Sequence, residues 1–477
     1  MNYKFVYFLI ALSLSFFSCE EDKKANLNGN AFFGGEIINP NSNFVVILKD
    51  NKVLDSVYLD QNNRFSYTFK DFDPGLFRFY DGKEFQSVLI QPNDSLMFRL
   101  NTIEFDESLV FTGIGEKENN FLIELFLLND KLQDSVLKIS QLEPKEFEEQ
   151  LNAIRKQKQD KLDAFNEKNE TTEIFNKLAQ AKIDYNYYYS KETYPFINYR
   201  ESEYQIFSEL PEDFYNYRND VDYNSVLLRE YRPYVSFLRV HFNNLALQKH
   251  FQHSDDSIYN NQSLEYNIDK FNLIGDKISD TFIKNRLLYY NMVKFINGSE
   301  NDSDYEKLLE LFKEKSTNKD QIEKASKLVN TYKRLKPGNT IPNVTVIDKS
   351  DNFLSLKQII DKPSVIYFWD VSKRYRYHLK DVHLKAAELS EKYPEIEFIA
   401  INVNNISTRE QADILQRNRL KLINEFHFKT PNEAVDLLAI RPINKVFLVD
   451  KNANIVNPKG NMFDIKFENE LLGLINK

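Results

Sequence analysis

The residues able to do chemistry are few and far apart. The 477-residue chain has one cysteine, Cys19, so it can form no intramolecular disulfide, no Cys-x-x-Cys pair and no cysteine-built metal site. Among its six histidines, His241, His250 and His253 fall in one stretch. The last two are three apart, a possible helical ligand pair, but no His-Glu-x-x-His pattern accompanies them, and no metal or cofactor is expected. The sharpest feature is a basic turn, Lys373-Arg374-Tyr375-Arg376, between an apolar run, Val365 to Trp369, and an amphipathic segment. Cations at a helix start are mildly unfavourable, while the free backbone N–H groups there attract anions. Lys373, Arg374 and Arg376 would therefore gather an anion or an acidic peptide, or else simply reach into solvent. A Schiff base at Lys373 would need a desolvated lysine, which two neighbouring arginines do not provide. His378 and His383 follow the turn and read as surface or boundary residues.

A second chemical candidate is aromatic. Tyr185, Tyr187, Tyr188, Tyr189, Tyr194, Tyr199 and Tyr204 cluster, with Phe214, Tyr215 and Tyr217 following. Such rings offer flat apolar faces with polar tips to a sugar or a peptide. Packing of a helical region is the expected role, and glycan binding the alternative. The net charge of −9 argues against a nucleic-acid partner, which needs a basic surface. Hydrophobic content of 42% with 28% charged residues is globular composition, and the length calls for two or three domains.

Residues 1–18 have a secretory layout, with Lys4, an apolar core from Phe5 to Phe17 and Ser18 before Cys19. Residues 19–26 are a tether, with Glu20, Glu21 and Asp22 at its start. Residues 27–116 read as an all-β sandwich of short runs at Ala31 to Ile38, Phe44 to Leu48, Val53 to Leu59, Arg64 to Phe69, Leu76 to Tyr80, Phe85 to Ile90, Ser95 to Leu100 and Ser108 to Thr112. Residues 117–335 are α-helical by their three- and four-residue apolar spacing, including continuous stretches at 224–249 and 264–296. Residues 336–477 alternate strand and helix, the pattern of a layered α/β domain. The fold class is thus multidomain: a β-sandwich, a helical region and an α/β domain.

Two resemblances sharpen this. Phe16-Phe17-Ser18-Cys19 resembles a bacterial lipobox, which implies that Cys19 becomes the lipidated first residue of the mature chain and holds it on a membrane. Residues 336–477 resemble a thioredoxin-fold domain of the TlpA-like type. The resemblance rests on Gly338 and Pro342, Leu354-Ser355-Leu356 before Asp361-Lys362-Pro363, the strand Val365-Ile366-Tyr367-Phe368-Trp369, and Phe447-Leu448-Val449-Asp450. The 27–116 region is similar to the β-domain of unknown function that precedes many such domains in Gram-negative lipoproteins. The TlpA-like pattern implies a redox pair whose two cysteine positions here hold Lys373 and Arg376. It also implies a cis-proline at a position that here corresponds to Asn444, with Pro442 two residues earlier. Dithiol exchange needs a thiolate and a resolving thiol, so no catalysis is expected and thiol–disulfide oxidoreduction is the disfavoured alternative. The expected role is a lipid-anchored envelope protein, in the outer membrane, with a protein or peptide partner held beside Trp369, Lys373, Arg374, Arg376 and Asn444 at an exposed strand edge.

Overall fold

A computed structural model describes residues 29–198, 203–253, 259–299, 301–371, 376–421 and 424–476. Its residues group into two compact units. Among the described residues, one is drawn from residues 29–198, Glu209–Asn219 and Val226–Phe237, and the other from residues 203–208, Asp220–Ser225 and those from Leu238 onward. The helical region expected at 117–335 is therefore shared between the two.

The first unit begins with eight strands, β1 Ala31–Ile38, β2 Phe44–Lys49, β3 Lys52–Tyr58, β4 Arg64–Phe69, β5 Gly75–Tyr80, β6 Phe85–Ile90, β7 Ser95–Asn101 and β8 Val110–Ile114. They form two four-stranded sheets, ordered β4-β1-β7-β8 and β3-β2-β5-β6. Alternating inward residues of both sheets make one core, as a period of two requires. At its centre the Phe79 ring lies 5.5 Å from that of Phe33 and 4.9 Å from that of Phe98. Gly35 makes room for this stack, since a Cβ there would meet Phe98 ring carbons at 2.8 Å. The run expected from Ser108 begins later, because Phe105–Ser108 is a short helix, α1. Ser108 Oγ spends its hydrogen-bonding capacity on Asn101, accepting from the backbone N–H at 2.9 Å and donating to the carbonyl at 3.1 Å.

Three long helices follow, α2 Glu116–Ile139, α3 Pro144–Lys168 and α4 Glu173–Ile197. Pro144 opens α3 at a position whose N–H would have no helical partner, and Thr172 caps α4 by accepting from Phe175 N–H. One ring from each helix, Phe121, Phe165 and Phe175, meets the others within 5.8 Å. Helix α5 spans Glu203–Glu209 and α6 spans Arg232–His253, shorter at its start than the run from 224 predicts.

The second unit takes α5 up to Ser208 and α6 from Leu238, and continues with α7 Leu264–Lys277, α8 Thr281–Gly298, α9 Asp302–Lys315 and α10 Lys319–Arg334. The apolar run at 264–296 is two helices because Asp280 caps α8, accepting from Ile283 N–H at 2.8 Å. The sheet that follows has seven strands: β9 Thr345–Ile347, β10 Phe353–Ser355, β11 Ser364–Trp369, β12 Glu397–Asn402, β13 Glu425–Phe428, β14 Val446–Val449 and β15 Ile455–Gly460, in the order β10-β9-β13-β12-β11-β14-β15. Helix α11 (Arg376–Lys392) links the parallel pair β11 and β12, and α12 (Thr408–Arg417) links the parallel pair β12 and β13. A short α13 (Pro431–Leu437) leads to β14, which pairs antiparallel with β11, and α14 (Phe467–Ile475) closes the chain. A βαβ unit followed by a ββα unit in the order β12-β11-β14-β15 is thioredoxin-like topology. Leu379, Val382, Ala386, Leu389 and Tyr393 bury one face of α11 against this sheet, as their spacing predicts. Among the described residues, no helix is long and apolar enough to cross a membrane.

Candidate functional site

The three parallel strands β11, β12 and β13 deliver their carboxyl ends to one place, and a cavity of about 610 Å³ opens there. Ligands of open α/β sheets bind in the crevice outside strand carboxyl ends. Asp370 follows β11, Val403, Asn404 and Asn405 follow β12, and Lys429, Thr430 and Pro431 follow β13. Glu433 and Val435 come from α13, and Ile440, Arg441 and Ile443 from the loop before β14. Two acids and two bases thus stand among amide and apolar groups, a lining suited to a polar ligand with charges of both signs.

Asn404 ties two of the strand exits together. Its Oδ1 accepts from Val371 N–H at 2.9 Å, its Nδ2 donates to Asp370 Oδ1 at 3.2 Å, and its own N–H donates to Asn402 Oδ1 at 2.8 Å. Lys445 fastens the segment just before Ile440 and Arg441. Its buried ammonium donates to the carbonyls of Leu438 and Ala439, each at 3.1 Å, and lies over the Tyr332 and Phe447 rings. A cation on the last carbonyls of a helix is favourable there. Burial, with Lys459 nearby, holds this lysine well below the ordinary range.

Behind the β11 exit lies a closed polar group. Trp369 Nε1 donates to Glu425 Oε2 at 3.2 Å, and His383 Nε2 faces Glu425 Oε1 at 2.9 Å. His383 Nδ1 faces the Leu379 carbonyl at 2.7 Å. All three side chains are buried and mutually satisfied, the condition for polar groups in a low-dielectric interior. One turn earlier, burial and then His383 hold His378 below the usual imidazole range, against a pull from Asp381 and Asp370.

Several expectations change here. Trp369 is fully buried because β11 is an interior strand with β12 and β14 on its flanks. It is a core residue rather than part of a binding surface, and the edge strands of this sheet are β10 and β15, the latter bonded at Ile455 to the backbone of Gly338 and Asn339. His383 is not a surface residue but the partner of Glu425. The peptide bond before Pro442 is cis, whereas the TlpA-like resemblance set the proline at Asn444. Lys373, Arg374, Cys19 and Tyr199 lie outside the described residues, and Arg376 is the first residue of α11.

The tyrosines are mostly interior. Tyr185, Tyr187 and Tyr194 are buried, Tyr194 stacks on Phe147 at 4.3 Å, and Tyr188 stacks on Tyr217 at 4.3 Å. The fully buried Glu192 accepts from Tyr217 Oη at 2.8 Å and from Arg218 at 2.6 Å. His241 meets Tyr223 Oη at 2.8 Å. His250 and His253 are joined by Asp269 on α7, with His253 Nε2 2.7 Å from Asp269 Oδ2. That carboxylate is sixteen residues away, outside any local motif. Most of the cavity lining went unread as well, because it lies on the short β13 and α13. Thr430-Pro431 was its one local signal, a proline at a helix start.

No described protein family matches the chain, and no curated protein does. Solved structures similar to its C-terminal part include a proposed thiol-disulfide oxidoreductase from Bacteroides vulgatus, at 19% identity over 30% of this chain and 98% of that one, TM-score 0.26. The thioredoxin domain of another thiol-disulfide oxidoreductase from that species is 15% identical over 30% and 99% of the two chains, TM-score 0.25. A thiol:disulfide interchange protein from Bacteroides sp. is 18% identical over 30% and 93%, TM-score 0.24. These scores add nothing about activity, and the thioredoxin-like topology stands on the strand order and crossovers described above.

Proposed function

We propose that this chain is a lipid-anchored protein of the cell envelope whose thioredoxin-like domain holds a protein or peptide segment and exchanges no disulfides. The observation that carries the reading is the cavity of about 610 Å³ at the three strand ends, in a chain whose single cysteine is Cys19. Its volume falls within the range of about 300–1,000 Å³ usual for ligand pockets. Arg441 and Lys429 would take carboxylates or backbone carbonyls of an extended segment, and Asp370 and Glu433 its ammonium or amide donors.

Retention of extended peptides by the purified full chain tests the binding. Arg441→Ala and Glu433→Ala are expected to weaken retention about tenfold, and equal retention by both variants and the wild type would sink the peptide reading. Insulin reduction separates it from dithiol exchange, and turnover above background would restore the oxidoreductase alternative. Anchoring is read from fractionation, where Cys19→Ser is expected to release the protein from membranes. Continued membrane association of that variant would remove the lipid anchor.

A further inference from the structure

We propose that the end of α6 and the start of α7 form a divalent metal site of the zinc class, with His250, His253 and Asp269 as its protein ligands. Each of these residues offers one ligand atom, and the three atoms lie within 4.8 Å of one another. Two imidazoles and a carboxylate are a recognised zinc set, with a fourth position left for water or a bound molecule. The local fold supplies the convergence. His250 and His253 are three apart in the last turns of α6, on one helical face. Asp269 is buried on α7.

A plain ion pair accounts for only part of this arrangement. Asp269 Oδ2 faces His253 Nε2 at 2.7 Å, and Oδ1 faces Lys249 Nζ at 3.3 Å. Both carboxylate oxygens are thereby engaged, and neither serves His250. His250 is 4% exposed, and its Nδ1 is buried without a hydrogen-bond partner. An unsatisfied buried polar atom costs about 1–3 kcal/mol, so its presence beside two other ligand-capable groups calls for an explanation. A cation among the three residues would engage His250, His253 and Asp269 Oδ2 together. Lys249 would then hold the outer carboxylate oxygen, as second partners of metal-bound carboxylates do. Bonds of about 2.0–2.2 Å require ligand atoms somewhat over 3 Å apart, so the His253–Asp269 pair must open by roughly half an ångström to an ångström. The His253 side chain is 47% exposed, which leaves it free to make that shift and leaves the ion a route from solvent. The positive charge of Lys249 opposes the ion, so Lys249→Gln separates support from competition.

The test is titration of the full chain, purified without a histidine tag and stripped with chelator, with zinc chloride by calorimetry and with cobalt chloride by visible absorption. One equivalent of zinc binding with a Kd on the order of micromolar or tighter, and cobalt bands of low-symmetry four- or five-coordination, are expected. His253→Ala and Asp269→Asn are each expected to lose affinity by about 10- to 100-fold or more. His253→Ala is the decisive variant because truncating a half-exposed side chain hollows no core, and its metal-free melting temperature checks that it folds. No stoichiometric zinc binding overturns the proposal, and so does binding of equal affinity in the wild type and His253→Ala, which would mark an adventitious ion only.

Discussion

The N-terminal pair of sheets and the C-terminal sheet use the same apolar residue types and end differently. In the first, strands joined mainly by antiparallel turns close over a centre of phenylalanine rings. A hollow of about 340 Å³ on its surface is lined by Ile38, Arg99, Asn101, Ser108 and Val110. In the second, two parallel crossovers bring three strands out side by side, and about 610 Å³ stays open where they end. Hairpins cover strand ends with their own turns, while a crossover carries the chain away to a helix and leaves the end bare. The cavity of the second sheet therefore follows from topology, in a chain with a single cysteine.

The largest expected effect breaks the closed side of this contrast. Phe98→Ala removes a ring that contacts Phe33, Phe65, Phe79 and Phe111, and a cost of about 4 kcal/mol is expected in urea unfolding followed through amide exchange in β1 and β7. A loss below about 1 kcal/mol would mean that this core is loosely packed. On the open side, His383→Leu leaves Glu425 buried without its imidazole, at a cost of about 3 kcal/mol. The double variant His383→Leu, Glu425→Leu should recover part of that loss, and strict additivity would show that the two groups are not coupled.

Acid and base sharpen what closure costs the first unit. Burial, reinforced by Glu118 and opposed by the Gln91 N–H, lifts Asp94 to about 7. The folded chain then binds this proton more tightly than the unfolded chain. The stability it contributes is complete below the ordinary carboxylate range and is lost as pH rises to about 7. Burial, and then Arg232, lowers Lys182 to about 7. Its folded form gives up the proton more readily, so stability is gained as pH rises from about 7 toward the ordinary lysine range. Asp94→Asn should flatten the first slope, worth on the order of 2 kcal/mol, and Lys182→Met the second. Melting temperatures from pH 4 to 10 read both, and unaltered slopes would contradict these assignments.

The smallest expected change in stability is at the cavity. Arg441→Ala and Glu433→Ala should each shift unfolding by under about 0.5 kcal/mol while weakening peptide retention. A large loss of stability would make these residues structural supports instead.

How much of this was legible in the sequence depends on the range of the interactions. The strands of the first unit could be read because alternation and turn residues are local, as were β11 and the apolar face of α11. The absent redox pair could be read because it is a matter of counting cysteines. Trp369 and His383 could not be placed, because the carboxylate that satisfies their buried nitrogens, Glu425, is 56 residues from the tryptophan and 42 from the histidine. The cavity escaped for the same reason, since β13 is four residues long and acquires its neighbours only through the crossovers. Asp269 was missed because a carboxylate on the next helix leaves no spacing pattern beside His250 and His253.

Binding of a polypeptide segment at the open sheet end is read by comparing peptide pools. A random-sequence pool passed over the wild-type chain and over Arg441→Glu reads which peptides each retains. Retention of an acid-bearing subset by the wild type, lost in Arg441→Glu at an unchanged melting temperature, is the predicted result. Retention of the same peptides by both proteins, or of none by the wild type, would contradict it.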